Sequence, residues 1–585
     1  GHTGAMVPAS TVLVNGRVVP VAAQPDVSHQ AVAVDDGGRI AMLGTDDEVR
    51  ALVGPRTRVI DLRGRLALPA FADAHVHAVG GGFERLHCNL LGARTRDECL
   101  GIVAAHARTL APDAWVLGGG WALEAFGATG PLAADLVDAA GGRPVFLPNR
   151  DHHSAWVSAV ALQRAGIDRY RPDPPDGRIE RDAAGAPTGT LHEGSMRLVG
   201  DLVPAPSLDE LTRALLGAQH YLHSLGITRW QDAAVGAATE LGVPDSYPAY
   251  QRAASDGTLT ARVVGALWWD RGRGLDQIPD LLARREAAGA GAFRATSVKI
   301  MVDGVCETLT AAMTEPYLRT DQPPGEHGAD DHGDHGANDH GAGGAEPGGH
   351  RGHLFLPPEE LDEAVAALDA HGFQVHFHAL GDRAVTVALD ALAALPAGRV
   401  RAGRHHLAHL QFVRPSDLGR FATLGAVANF QPLWACNDPQ MEELTVPVVG
   451  PERVGWQYRI GTLARLGTTL AFGSDWPVSS PDPLQQLHVA VNRRLSGALG
   501  RPGTPETDEA FLPDEAISLP EALDAFTRGV AFVNGAAPGA GVLRAGARAD
   551  IAVLDHDILR ASPLEIGDAS VDVTLAGGRI VHGDE

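Results

Sequence analysis

The sequence predicts an α/β protein: a (β/α)8 TIM-like barrel with a small β-sandwich formed by both termini and an inserted subdomain. Eight β-rich runs alternate with helix-like segments, the pattern of a parallel sheet covered by helices. The two ends of the chain carry similar β-rich pieces, VLVNGRVV and VTLAGGRIVHG. About 150 residues separate the first barrel run from the second, too many for a structureless loop.

Taken in order, TVLVNGRVV, AVAVDDGGRIAMLG and TRVIDLRGRLALPA are alternating β-rich runs punctuated by NG and GG. Residues 6–65 therefore read as the first part of the sandwich. The barrel region is 66–535. Its expected strands are ALPAFADAHVH, GITRWQDA, ARVVGALWW, ATSVKIMVDG, FQVHFHALGD, HHLAHLQFV, GAVANFQPL and TLAFGSDWPV. Segments such as LPPEELDEAVAALDAHG and DRAVTVALDALAAL between them have helical periodicity. The insertion reads as roughly 115–205. Residues 321–353 are rich in Gly, Asp and His with almost no apolar side chains, which predicts a disordered or mobile loop. That loop reads either as a solvated insertion or as a device for metal capture. Residues 536–585, with GARADIAVLDHD and VDVTLAGGRIVHG, complete the sandwich.

Composition narrows the function classes. A chain of 585 residues can bury a large core. Its formal charge of −24 repels phosphate backbones and anionic lipid, so no nucleic-acid or membrane partner is expected. No apolar run approaches the ~20 residues that span a bilayer, and GHTGAMVPAS has no secretory-leader pattern. Cys88, Cys99, Cys306 and Cys436 include no CxxC and suggest no disulfide framework, which fits a cytoplasmic setting. The expected partner is a small-molecule substrate, and a homodimer is compatible with the chain.

Polar residues gather at the C-terminal ends of the expected strands, where barrel active sites lie. The first ends in His75 and His77, whose i, i+2 spacing sends both side chains to one face. The fourth carries Lys299, the fifth His376 and His378, the sixth His405, His406 and His409, and the eighth ends in Asp475. Converging imidazoles and a carboxylate suit a Zn2+-type ion. Each signal alone has an ordinary structural reading; their common placement at strand ends is what points to a metal site.

The motifs LPAFADAHVH, GGGWALEAFG, HHSAWVSAVALQRAGI, GAPTGTLHE, SVKIMVDG, HFHALGDRAV, HLAHLQFVRPSDLGRFATLG and FGSDWPVSSPDPL, in that order, resemble the amidohydrolase superfamily. The closer resemblance is to its YtcJ-like, family 3 group, which includes N-substituted formamide deformylases. This implies metal ligands at His75, His77, Lys299, His378, His409 and Asp475. It leaves His376 as a same-face neighbour and His405 and His406 as structural. It implies one or two Zn2+ ions, or another divalent metal, with Lys299 carboxylated in the binuclear case. Carboxylation requires a neutral amine and hence a lowered lysine pKa.

By the same resemblance, Asp475 takes a proton from the attacking water and delivers it to the leaving nitrogen, cleaving an amide or formamide C–N bond. Trp121 and His153, from the insertion, are candidates for lining the substrate pocket. Ser158 stands where the group often has Asn, which bears on specificity. An isomerase or decarboxylase on the same barrel shares every ligand. A non-catalytic metal store would not need the aspartate at strand eight.

Overall fold

The computed structural model describes residues 7–127, 129–238, 243–318 and 349–583. Most of the 321–353 segment lies outside the described residues. Eight strands stand side by side in chain order: β1 (Phe71–Val76), β2 (Ile227–Val235), β3 (Arg262–Trp268), β4 (Phe293–Met301), β5 (Gln374–Ala379), β6 (His406–His409), β7 (Val427–Phe430) and β8 (Leu470–Phe472). Each neighbouring pair from β1–β2 to β7–β8 is parallel. All eight expected runs are therefore strands, in the expected order.

The last gap is closed just beyond the strands. Asp475 N donates to His75 O at 2.7 Å, and His77 N donates to Trp476 O at 2.8 Å. The buried Asp73 carboxylate accepts the Ser474 hydroxyl at 2.6 Å and the backbone N–H groups of His75 and Ser474. Only glycine fits at 473, because a Cβ there would stand 2.5 Å from His75 N. The GSD motif thus brings the end of β8 against the end of β1.

Strand alternation sorts the side chains. Val375 and Phe377 of β5 join the apolar shell under the helices, while Gln374 and His376 bond to other side chains and His378 lines a cavity within the barrel. The helices expected at 358–370 and 382–393 are present as Pro358–Ala370 and Asp382–Ala393. Helix Leu208–Ser224 starts with a capping box, Ser207 with Glu210. It crosses helix Ala78–Leu86 so closely that a Cβ on Gly82 would stand 2.0 Å from Ala214 O.

Strands from both termini share one apolar core between a four-stranded and a five-stranded sheet. Leu13, Val32 and Ile60 of the first sheet pack with Ala67, Val553 and Leu575 of the second. The insertion folds as a separate six-stranded sheet running from Gly177–Arg181 to Cys88–Asn89 at its edges. It therefore begins upstream of 115. The two-residue strand at Cys88 lies between helices Ala78–Leu86 and Arg96–Ala107, too short to show a β pattern of its own. All four cysteines are buried and free. Among the described residues no helix is long and apolar enough to cross a membrane.

Candidate metal centre

His75, His77 and Asp475 place one ligand atom each within 4.8 Å of one another. His77 Nε2 stands 2.9 Å and His75 Nε2 3.2 Å from Asp475 Oδ1, and His409 Nδ1 is 3.9 Å from Oδ2. The ring centroids of His378 and His409 are 4.7 Å apart, and Lys299 lines the same small cavity. The barrel therefore brings together all six residues expected as ligands. Asp475 (φ 56°) and His409 (φ 79°) have left-handed backbones. Non-glycine residues rarely adopt that conformation, and strain of this kind collects at functional sites.

A polar plug inside the barrel decides which nitrogen of each imidazole carries the proton. Gln374 Nε2 donates to the carbonyls of Arg404 and Val533, both at 2.7 Å, so its Oε1 must accept. It accepts from Gln231 Nε2 at 3.1 Å, which turns Gln231 Oε1 toward His376 Nδ1 at 2.6 Å and His406 Nε2 at 3.0 Å. Both of those nitrogens donate. His376 Nε2 is then an acceptor, and His75 Nδ1–H donates to it at 2.7 Å. His75 is left with a lone pair on Nε2.

A second branch acts on His409. Asn429 Nδ2 donates to Ala74 O and to His406 Nδ1, both at 3.1 Å, so Asn429 Oδ1 accepts from Gln431 Nε2 at 3.2 Å. Gln431 Oε1 then accepts from His409 Nδ1 at 2.8 Å, leaving the Nε2 lone pair of His409. His378 Nε2 faces the carbonyl of Gly304 at 3.1 Å, so its free lone pair is on Nδ1.

These atoms fit a cation. His75 Nε2 and Asp475 Oδ1 are buried and satisfy no hydrogen bond, though only 3.2 Å apart. Two facing lone pairs in a buried site are costly, and a metal ion between them removes that cost. Burial holds His75, His376 and His378 well below the usual histidine pKa and His409 at about 3, which keeps their lone pairs free. Burial also lowers Lys299 to about 8, in the direction that a reactive amine requires. Its Nζ is 3.5 Å from Ala233 O.

The cavity at this centre, about 40 Å³, adjoins a chamber of about 620 Å³. Asp151, Val305, Leu380, Trp434 and Val478 line both. His153 lines the inner cavity, its Nδ1 2.9 Å from both oxygens of Glu193, which also accepts from Thr310. Burial lowers the His153 pKa, but Glu193 outweighs it and raises it to about 9.

Trp121 is placed elsewhere. Its indole N–H donates to Leu147 O at 2.7 Å within the core of the insertion, and its ring lines neither space. Packing, rather than substrate, accounts for it. Ser158 caps helix Ala159–Arg164 and accepts from Val145 N at 3.0 Å, a local structural role. His405 bonds to Asp369 Oδ1 and Val375 N, away from the centre. The sequence reading did not single out Gln231, Asn429, Gln431, Asp73 or Glu193. An amide or a carboxylate inside a strand carries no signal of its own until the strands are paired.

The chain belongs to the amidohydrolase family, whose model matches residues 58–582. It is 28% identical to the putative amidohydrolase YtcJ of Bacillus subtilis strain 168, across 94% of this chain and 96% of that one. It is 26% identical to the N-substituted formamide deformylase of Arthrobacter pascens, across 97% of each chain. The crystal structure of an uncharacterized metal-dependent hydrolase from Pyrococcus furiosus matches with a TM-score of 0.65 at 25% identity, covering 95% of this chain and 99% of that one.

Proposed function

We propose that the protein is a metal-dependent hydrolase that cleaves the C–N bond of a small amide, with N-substituted formamides as the first class to examine. The carrying observation is the convergence of His75, His77 and Asp475, with His75 Nε2 and Asp475 Oδ1 unpartnered, on a cavity that adjoins a larger chamber. Family membership supports hydrolysis, and end-to-end similarity to a formamide deformylase supports the bond type.

His75 through Nε2, His77, His378 through Nδ1, His409 through Nε2, Lys299 and Asp475 are the residues that would hold one or two divalent ions. The oxygen and nitrogen donor set suits zinc. A carboxylated Lys299 would add an oxygen donor to that set. A bound ion supplies Lewis acidity, which polarises a carbonyl and acidifies water. Asp475 turns Oδ1 to His75 and His77, leaving Oδ2 to take the proton of the attacking water. The same oxygen returns that proton to the leaving nitrogen, so one carboxylate serves both halves of the reaction. His153, fixed by Glu193, faces the bound amide from the insertion.

The test is Asp475→Asn, assayed for release of formate and free amine with metal content measured in parallel. We expect turnover to fall by roughly 10²–10⁴ with metal retained. Hydrolysis near the wild-type rate with metal bound would overturn the role of Asp475. A panel of amides that yields neither formate nor amine would overturn the bond assignment.

A further inference from the structure

A second cavity, of about 400 Å³, lies at the opposite end of the barrel. It is lined by Arg229, Arg262 and Arg294, near the starts of β2, β3 and β4, and by Arg39, Arg544 and Arg548 from the terminal segments. Six guanidinium groups thus face one space in a chain whose net charge is −24. One carboxylate, Asp550, lines it with them, 3.0 Å from Arg548 and 3.9 Å from Arg229.

Four of the arginines donate to backbone carbonyls, and Arg548 is paired with Asp550 as well. Arg294 donates to Asn534 O at 2.7 Å, Arg548 to Thr260 O at 3.0 Å, Arg39 to Gly546 O at 2.9 Å and Arg544 to Pro538 O at 2.9 Å. A carbonyl orients a guanidinium without cancelling its charge. Burial lowers the pKa of Arg229, Arg294 and Arg548; Asp550 opposes this at Arg229 and Arg548, and neighbouring guanidiniums lower all three. The fold therefore keeps like charges together, oriented, with most of their counter-charge missing.

We propose that this cavity is a binding site for a compact multivalent anion carrying two or more phosphate groups. Guanidinium is the side chain best matched to phosphate, through paired N–H donors. A space of about 400 Å³ fits a compact anion, and the net charge of the chain repels long polyanions. The wall between the arginines is Ala, Gly, Pro, Val, Thr and Asn, with no aromatic ring to stack a base. The phosphates themselves, rather than a nucleobase, are what the cavity recognises. A bound anion would join arginines of the barrel to arginines of the terminal segments and so stabilise the contact between them.

The test uses the full-length, metal-loaded protein, titrated calorimetrically with tripolyphosphate, inositol hexakisphosphate and orthophosphate at about 0.15 M ionic strength. Saturable binding of tripolyphosphate or inositol hexakisphosphate, far tighter than orthophosphate, is expected, with a raised melting temperature. Which of the two binds more tightly separates a linear from a ring-borne source of phosphate. The exposed pair Arg262→Glu with Arg544→Glu should weaken binding at least about tenfold, equivalent to ~1.4 kcal/mol. Arg544→Gln alone gives a milder check should the double variant fold poorly. Removal of metal by polyphosphate would affect wild type and variants alike, so the difference between them reads the cavity. Absence of saturable binding by wild type, or equal affinity in the variants, would overturn the proposal.

Discussion

At the C-terminal ends of the barrel strands, His75, His409 and Asp475 turn lone pairs toward one point; at the N-terminal ends, Arg229, Arg262 and Arg294 turn N–H groups into another space. Both arrangements come from strand alternation in one parallel sheet, yet they call for ligands of opposite sign. They also differ in what orients them. The imidazoles depend on a chain of amides through the barrel interior, anchored on the carbonyls of Arg404 and Val533. Arg294, Arg548 and Arg39 are oriented by backbone carbonyls, and Arg548 by Asp550 as well. One end is thus wired through the core, while the other meets that wiring at Asn534, which accepts from Gln231 Nε2 and holds Arg294 through its carbonyl. Loss of the metal ligands should therefore empty the first and spare the second.

The largest effect comes from the ligands themselves. In the double variant His75→Ala with His77→Ala, metal content should fall to background and amide hydrolysis should be lost. Tripolyphosphate affinity at the other end should not change. Metal analysis and calorimetry on one preparation check both halves, and a parallel loss of anion binding would break the comparison.

The wiring itself is tested next. His376 lines neither the inner cavity nor the chamber, yet it accepts the hydrogen bond from Nδ1 that fixes the lone pair of His75. Replacing it with Phe should weaken metal binding about 10–100-fold, the usual cost of losing such support. Gln431→Leu should do the same through His409, and Gln431→Glu should recover part of the affinity, since a carboxylate still accepts from Nδ1 but loses the bond to Asn429 Oδ1. Chelator competition measures the affinity. Nitrogen-15 histidine spectra of the metal-free protein read the tautomer directly: protonation of His75 on Nε2 would contradict the derivation.

The difference between the two ends also explains what the sequence disclosed. All eight strands were legible because each is an apolar run with its own turn signals, and the gathering of the six candidate ligands was legible because they stand near the ends of those runs. The plug was not. Gln231 in GITRWQDA and Gln431 in GAVANFQPL look like any polar residue on a strand, and their meaning depends on pairing with residues 143 or more positions away or on an imidazole across the sheet. The arginine cavity was hidden for a similar reason, since its six members span residues 39 to 548. Trp121 shows the reverse: its motif was visible, but only the fold distinguishes a ring packed in the insertion from one that meets substrate.

Acid should act on the arginine end of the barrel through His223. Burial lowers its pKa to about 4, where Nδ1 donates to Ile227 O at 2.8 Å and Nε2 faces Thr260 Oγ1 at 2.8 Å. Between an unfolded value of about 6.5 and that lowered value, the unfolded chain binds more protons than the folded one. Stability is therefore complete above about pH 6.5 and lost as pH falls toward 4. His223→Gln keeps a donor and an acceptor but cannot titrate, so its stability should decline less steeply over that interval. Denaturant melts at several pH values measure the slope, and equal slopes would remove His223 as a cause.

The smallest expected effect belongs to Ser158, which lies at neither end. Its hydroxyl accepts from Ala161 N at the start of helix Ala159–Arg164 and from Val145 N. Ser158→Ala removes both acceptor contacts and should cost about 1 kcal/mol, the usual price of an N-cap. Because the side chain lines neither cavity, KM, metal affinity and anion affinity should all stay at wild-type values. Asn at this position caps nearly as well, so Ser158→Asn should recover the lost stability. A change in substrate preference in either variant would return Ser158 to the list of specificity residues and show that the insertion reaches the mouth of the barrel through its helix.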